Sequence, residues 1–159
     1  MKIHHYKAKQ FLPIDPEAAW NFFSNARNLA VITPSDMDFR ILSPSLPLEI
    51  YEGMHIDYFV RPLLGISFHW QTEISKVKKP EIFTDRQVKG PFLFWEHTHR
   101  FTPSKNGVMM NDEVIYSLPF GALGSLTHRL LVKKRIEHIF AFRRRILNRM
   151  FSFSTYDYN

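Results

Sequence analysis

Apolar residues recur at steps of three and four positions over residues 126–150, near the end of the chain. On a helix of about 3.6 residues per turn, these positions form a single stripe, which contains Val132, Ile136, Ile139, Phe140, Leu147 and Met150. At about 100° per residue, Arg143 falls near the middle of that stripe. The other cations fall outside it, namely Lys133, Lys134, Arg135, Arg144, Arg145 and Arg149. The pattern therefore predicts a long amphipathic helix with one guanidinium on its apolar face.

The N-terminal part of the chain predicts one strand and two short helices. Residues 3–12 alternate imperfectly, as in a strand. Asp15 followed by Pro16 is typical of a helix N-cap with proline at the first helical position, and this helix should stop near residues 24–25. A second helix, at residues 26–32, should end before Thr33 and Pro34, because the residue before a proline avoids helical angles.

From Asp36 onward the apolar period changes to two, which predicts strands. Six strands follow, at residues 37–41, 53–60, 68–74, 83–88, 93–101 and 108–118. Short turns separate them, including the Asn106-Gly107 pair that is a strong hairpin signal. Gly121 and Gly124 then interrupt the chain, so we expect residues 120–125 to form a separate lid-like segment before the helix.

Consecutive strands with short turns pair as an antiparallel sheet. This sheet has one apolar face to bury, and the long helix is its only large partner. The predicted fold class is therefore α+β: a seven-stranded curved antiparallel sheet around the C-terminal helix, with two short helices between strands 1 and 2. No linker-like tract interrupts residues 1–159, so we expect a single domain.

Alternation along the sixth and seventh strands places polar residues on the inner, apolar face of the sheet. On the sixth strand, His97 and His99 share that face with Leu93, Trp95 and Phe101. On the seventh strand, Asp112 shares it with Val108, Met110, Val114, Tyr116 and Leu118. Two imidazoles and a carboxylate should therefore lie close together inside the sheet.

The orientation of Asp85 and Gln87 on the fifth strand depends on the turn that follows. A three-residue turn at residues 89–91 places both side chains on the inner face with Trp95 and His97, whereas a two-residue turn reverses them. We favour the inward orientation. Buried charges need partners, so we expect Arg143 to face the interior and to pair with Asp112 or Asp85.

These positions combine into a candidate ligand-binding site. Its predicted residues are Trp70, Asp85, Gln87, Trp95, His97, His99, Asp112 and Tyr116 from the sheet and Ile136, Ile139, Phe140 and Arg143 from the helix. We expect a mostly apolar cavity of roughly 300–1,000 Å³ with few polar groups and a mouth near residues 120–125. The structural alternative is a filled interior in which the polar set forms satisfied ion pairs and hydrogen bonds.

No residue is a firm catalytic candidate, although His97, His99 and Asp112 are the groups that could transfer or orient a proton. Two histidines separated by one residue are weak evidence for a metal, so we predict no metal site and no cofactor. The sequence contains no glycine-rich phosphate loop and no serine nucleophile elbow, which removes those enzyme classes.

Composition limits the partners. The absence of cysteine excludes disulfides and fits a reducing compartment. Residues 1–10 lack an apolar core, and no run approaches ~18 apolar residues, so we expect a cytoplasmic protein without stable membrane insertion. Residues 122–149 hold eight Lys or Arg and one acid. We interpret this basic helix as a solvated face and predict no nucleic-acid partner, while transient contact with a membrane surface and the oligomeric state stay open.

The pattern resembles the START-like helix-grip superfamily, also called SRPBCC, over nearly the whole chain. The local similarities are to a bacterial group of small SRPBCC ligand-binding proteins with polyketide cyclase/dehydrase and coenzyme Q-binding relatives. They comprise Phe11-Leu12-Pro13, Trp20, Phe22-Phe23-Ser24, Asn28-Leu29, Ile32-Thr33-Pro34, Phe83, Asp85, Gln87, Gly90-Pro91-Phe92, Trp95, His97, His99, Phe101, Asp112, Tyr116, Pro119, Gly121, Leu123-Gly124, Ile139-Phe140 and Arg143.

The resemblance implies the helix-grip fold but leaves the function open, because the superfamily includes lipid carriers, cyclases, hydroxylase components and hormone receptors. We expect a non-enzymatic protein that binds a lipid, isoprenoid, quinone or aromatic polyketide-like metabolite between sheet and helix. The alternative is an enzyme of the cyclase or dehydratase type, in which His97 or His99 acts as general acid–base with Asp112 or Asp85.

Overall fold

The computed structural model describes residues 2–63, 65–119 and 131–152. Strand β1 (His4–Leu12) is followed by helix α1 (Pro16–Phe23) and by two 3₁₀ helices (Ala26–Ala30 and Ser35–Met37). Six more strands come next: β2 (Arg40–Ile41), β3 (His55–Leu63), β4 (Ile66–Lys78), β5 (Ile82–Lys89), β6 (Phe94–Ser104) and β7 (Gly107–Ser117). The long helix α2 (Lys133–Ser152) comes last. The predicted fold class and element order are confirmed.

All seven strands form one antiparallel sheet in the order β1-β7-β6-β5-β4-β3-β2. Strand β1 pairs with β7 from His4 opposite Tyr116 to Leu12 opposite Val108. The remaining strands pair in sequence, as a meander requires. Strands β5, β6 and β7 are therefore neighbours, and this brings together the inner faces that carry the predicted polar residues.

Helix α1 begins and ends where the sequence predicts. Asp15 is the N-cap, and its carboxylate accepts a hydrogen bond from the Ala18 amide at 2.8 Å. Pro16 occupies the first turn, where a missing amide proton costs nothing. Ser24 closes the helix through its amide, which donates to the carbonyl of Trp20 at 2.8 Å. These local bonds set the two ends of α1.

The predicted strand at residues 37–41 is wrong in its first half. Met37 ends a 3₁₀ helix, and only Arg40–Ile41 pair with β3. The Met37 amide donates to the Pro34 carbonyl, and the Asp38 amide donates to the Ser35 carbonyl. These local bonds replace sheet pairing, and Asp38 takes a positive φ of 44° that is incompatible with an extended strand.

Helix α2 buries a stripe that ends earlier than predicted. Val132, Ile136, Phe140, Arg143 and Leu147 are buried, and Ile139 is half-buried. Met150 is 40% exposed, because it lies beyond the last buried contact of the stripe at Leu147. The predicted helix start at residue 126 and the lid-like segment at residues 120–125 lie outside the described residues.

A third wrong expectation concerns Leu93, which is 62% exposed. This residue precedes β6, which begins at Phe94, so the strand alternation does not apply to it. Trp95, His97, His99 and Phe101 follow the predicted phase, since they are half-buried or buried.

Two apolar clusters fill the interior between sheet and helices. The first lies against α1 and includes Met110 and Leu147. The second lies against the N-terminal half of α2 and includes Val114 and Phe140. Between the two clusters, the buried residue of β7 is Asp112 and the buried residue of α2 is Arg143. These side chains form a polar layer across an otherwise apolar core.

Candidate functional site

The polar layer is organised around one carboxylate oxygen on β7. His97 Nε2 donates a hydrogen bond to Asp112 Oδ1 at 2.8 Å. His99 Nδ1 lies 2.9 Å from the same oxygen, but this nitrogen is not aligned for a hydrogen bond. Asp112 is 4% exposed, so its charge is stabilised by these neighbours rather than by water.

Asp85 on β5 faces the same two rings from the other side. Its Oδ2 atom lies 3.4 Å from His99 Nε2 and 3.7 Å from His97 Nδ1. Asp85, His97 and His99 each offer one ligating atom, and these three atoms lie within 4.8 Å of one another. The inward orientation expected for Asp85 is confirmed, because Asp85 stands opposite His97 in the sheet and lines the pocket described below.

The pKa values of three of these groups, His97, His99 and Asp112, depart from their ordinary values. Burial, followed by the charge of His99, lowers the pKa of His97 despite the nearby carboxylates. Burial also acts against a charged His99, but Asp112 and Asp85 outweigh it and raise the pKa of His99. Burial would raise the pKa of Asp112, yet the two imidazoles hold it far below its usual range. Relative to the free side chains, these surroundings favour ionised Asp112, protonated His99 and neutral His97.

Arg143 adds the second cation of the layer. It is 6% exposed, and its Nη1 atom lies 3.7 Å from Asp112 Oδ1. The prediction that it faces the interior and contacts an inward acid is confirmed. This contact is longer than a hydrogen bond, and Nε and Nη1 have no hydrogen-bond partner within the described part of the chain. The guanidinium also lies over the Phe140 ring at 4.8 Å, which gives it cation–π stabilisation.

A pocket of about 180 Å³ opens beside this polar layer, between the sheet, the first 3₁₀ helix and α2. The volume is smaller than the expected range. Trp70, Phe92 and Trp95 pack against one another with ring centroids 4.8–5.6 Å apart, and these rings occupy space at one end. The indole Nε1 of Trp70 is buried without a hydrogen-bond partner among the described residues.

Most of the predicted site residues line this pocket, namely Trp70, Asp85, Trp95, His97, His99, Ile136, Ile139 and Arg143. Asp112, Tyr116 and Phe140 are buried behind that wall. Gln87 makes a different contact: its side-chain amide donates to the Phe92 carbonyl at 2.8 Å and accepts from the Phe92 amide at 3.3 Å. These bonds close the turn at residues 89–91. Whether any of the twelve contacts a ligand stays a prediction.

Sequence reasoning missed two parts of the pocket wall. Phe22, Leu29 and Ile32 contribute from α1 and the segment after it; their helical spacing in the sequence carries no signal of a site. On the sheet, the Tyr58 hydroxyl lies 2.7 Å from the Thr72 hydroxyl. Burial raises the pKa of Tyr58, so this phenol is a neutral polar group at the wall.

The comparisons with known proteins rest on structure. No family model matches the sequence, and no curated protein matches it significantly. TTHA0849 from Thermus thermophilus is 17% identical, with 92% of this chain and 95% of that chain covered and a TM-score of 0.70. Ms6760 from Mycobacterium smegmatis is 12% identical, with coverages of 97% and 98% and a TM-score of 0.64.

The di-domain ARO/CYC StfQ from the steffimycin biosynthetic pathway is 10% identical, with 96% of this chain but 52% of that chain covered and a TM-score of 0.70. Within the described residues, no helix is long and apolar enough to cross a membrane. Likeness at such low identity establishes a fold and not an activity. The chain therefore has a helix-grip fold, in which a seven-stranded antiparallel sheet packs against a long C-terminal helix.

Proposed function

We propose that this protein binds a small, mostly apolar molecule that presents an oxygen acceptor to Arg143. The observation that carries the proposal is a buried guanidinium at the pocket wall with two nitrogens that lack a partner among the described residues. Leaving such donors unsatisfied costs about 1–3 kcal/mol each, and more for charged groups. A ligand oxygen that reaches the guanidinium would reduce that cost. Trp70 lines the same pocket, and its Nε1 is a further buried donor without a partner among the described residues.

Size favours a compact ring system over a long acyl chain. The pocket measures about 180 Å³, and an apolar protein cavity of about 150 Å³ is sufficient to bind benzene. The wall is rich in aromatic side chains such as Trp70, Trp95 and Phe39, which stack well against planar ligands. Among the ligand classes considered, an aromatic metabolite or a quinone head fits better than an extended lipid or isoprenoid.

Charge favours a neutral acceptor over a second carboxylate. Arg143 and a charged His99 already face Asp112 and Asp85, at the distances given above. An added carboxylate would leave the buried layer with excess negative charge, which is costly in a medium of low dielectric constant. A carbonyl or hydroxyl oxygen would satisfy the guanidinium without that cost.

The first experiment is native mass spectrometry of the protein purified from its own host, to detect co-purified molecules. The second follows fluorescence of the pocket tryptophans during titration with 2-acetylnaphthalene, 2-naphthoate and naphthalene. Replacing Arg143 by Met should weaken the binding of 2-acetylnaphthalene by about 10–100-fold, because a hydrogen bond to a charged group contributes about 1.5–3 kcal/mol. Naphthalene, which has no acceptor, should bind equally to both proteins.

Two variants provide controls. Arg149→Met makes the same substitution at an exposed position of α2 and should change nothing. Ile136→Trp fills the pocket and should abolish binding of every probe. If Arg143→Met and wild type bind 2-acetylnaphthalene equally, the role of the guanidinium is refuted; if neither probes nor co-purified molecules bind wild type, ligand binding itself is refuted.

A reaction on the bound molecule is the second candidate function. It is favoured by the 2.8 Å hydrogen bond that fixes the His97 ring against Asp112, while the His97 side chain lines the pocket. A neutral imidazole oriented in this way is suited to act as a general base. For a co-purified molecule that the protein converts, His97→Gln should reduce turnover by about 10²–10⁴-fold but weaken binding only modestly.

A further inference from the structure

Three potential metal ligands converge at the wall of the pocket. Asp85, His97 and His99 each offer one ligand atom, and these atoms lie within 4.8 Å of one another; Nδ1 of His97 and Nε2 of His99 are the ring nitrogens that face Asp85. We propose that these three side chains bind a divalent first-row transition-metal ion, for which Co²⁺ and Zn²⁺ are the probes. This site is separate from the Arg143 interaction and does not depend on it.

Asp112 supports the proposal because its carboxylate hydrogen-bonds the His97 ring and contacts the His99 ring on the side away from Asp85. Its Oδ1 atom contacts His97 through Nε2 at 2.8 Å and His99 through Nδ1 at 2.9 Å. Each ring therefore turns its other nitrogen toward Asp85 Oδ2, at 3.7 Å and 3.4 Å respectively. In metalloproteins, a histidine ligand commonly donates its second ring N–H to a carboxylate, which fixes the tautomer and the ring orientation. Here a single carboxylate stands in that position for two histidines.

The three facing atoms need a cation between them. Two imidazole lone pairs and a carboxylate oxygen repel one another when they converge, unless a proton or a metal ion lies among them. In a tetrahedral zinc site with bonds of about 2.0–2.1 Å, neighbouring ligand atoms are roughly 3.3 Å apart. The 3.4 Å and 3.7 Å separations between Asp85 and the two rings are within a few tenths of an ångström of that spacing.

Packing holds the rings in place and leaves one side accessible. The His99 ring stacks on Phe83, with centroids 4.2 Å apart and planes at 22°. The His97 ring meets Phe140 edge-on at 5.7 Å. Both histidines are buried, and the side chain of Asp85 is 18% exposed. All three residues line the pocket. Three protein ligands with a remaining position toward a pocket are typical of metal sites that take up water or an external oxygen ligand.

The experiment uses tag-free protein treated with EDTA and dialysed before Co²⁺ is added. Wild type should bind one Co²⁺ per chain and develop the visible absorption of a four- or five-coordinate site. Asp85→Asn should weaken the binding of Co²⁺ by about 100-fold or more. Loss of a direct ligand should cost more than loss of an outer-shell partner, which reduces metal affinity by roughly 10–100-fold. Zn²⁺ should raise the melting temperature of wild type, but not that of Asp85→Asn, since only the former binds it in the folded state.

Matched variants separate this site from other histidines. His69→Gln removes a ring that contacts Asp57 at 2.6 Å outside the pocket, and His5→Gln removes a ring near the N-terminus; both should leave Co²⁺ affinity unchanged. His99→Gln should lose the absorption, which provides a second test if Asp85→Asn proves misfolded by circular dichroism. Equal Co²⁺ affinity in wild type and in both site variants would overturn the proposal, as would binding that only His5→Gln removes. In either case, the three groups would hold a proton alone.

Discussion

Asp112→Asn tests the polar layer as a determinant of stability. The substitution preserves the shape of the side chain but removes the charge that faces His99 and Arg143. In wild type, Asp112 Oδ1 lies 2.9 Å from His99 Nδ1 and 3.7 Å from Arg143 Nη1. All three side chains are buried, so water cannot compensate for the lost charge.

The expected loss follows from these contacts. Removing one partner of a buried charge pair costs about 3–5 kcal/mol, because the remaining charge stays buried without compensation. The lower end applies here for two reasons. The side-chain amide oxygen that Asp112→Asn introduces can still accept the hydrogen bond from His97, and Asp85 still faces His99 at 3.4 Å. We therefore expect Asp112→Asn to reduce the free energy of unfolding by about 3 kcal/mol.

The assay is urea unfolding at pH 7 in EDTA, followed by circular dichroism, with the denaturant slope checked for constancy. Glu113→Gln is the matched control, because Glu113 is the next residue on β7, is partly exposed, and pairs with Lys7 at 3.1 Å on the surface. Its loss should cost no more than about 1 kcal/mol. If Asp112→Asn costs less than ~1 kcal/mol, or no more than Glu113→Gln, the view that this layer depends on one buried charge is refuted.

Three further predictions concern other parts of the molecule. Leu147→Ala should reduce the free energy of unfolding by about 2–5 kcal/mol in the same assay, because Leu147 is fully buried. Met150→Ala should reduce it by less than ~0.5 kcal/mol. Similar losses in the two variants would mean that α2 is differently rotated. Hydrogen bonding to the buried Trp20 indole lowers the pKa of Glu49 below its ordinary value of 4.5. The stability that Glu49 contributes is therefore present above pH 4.5, and it is lost as the pH falls through the folded-state pKa. Glu49→Gln should therefore make stability less pH-dependent below about pH 5, and an unchanged pH profile of urea unfolding would contradict this. Reversing the exposed cations Lys134 and Arg145 to Glu should not change binding to a DNA or RNA oligonucleotide. If wild type bound such an oligonucleotide at micromolar concentration in physiological salt and the reversals weakened that binding, the interpretation of the basic helix as a solvated face would be contradicted.

Local periodicity predicted the elements because it depends on neighbouring residues alone. Alternation identified the strands that carry His97, His99 and Asp112, and the helical stripe identified Arg143 as an inward cation. The strand at residues 37–41 was mispredicted, because the alternation of Met37 with Phe39 was compatible with a strand while local bonds to Pro34 favoured a 3₁₀ helix. Side-chain pattern alone does not report where backbone amides find acceptors.

The sequence by itself determined which side chains share a face of each strand or helix, since strand period and helix period assign a face to each residue, but it left the face of Asp85 dependent on the following turn. Only the tertiary structure decided how far apart those faces lie. The pairing of β5 with β6 and of β6 with β7 brings Asp85 and Asp112 to opposite sides of the two histidines. The close packing of aromatic rings reduces the pocket to about 180 Å³. Distances and volumes of this kind depend on contacts between residues far apart in the chain, which no local pattern records.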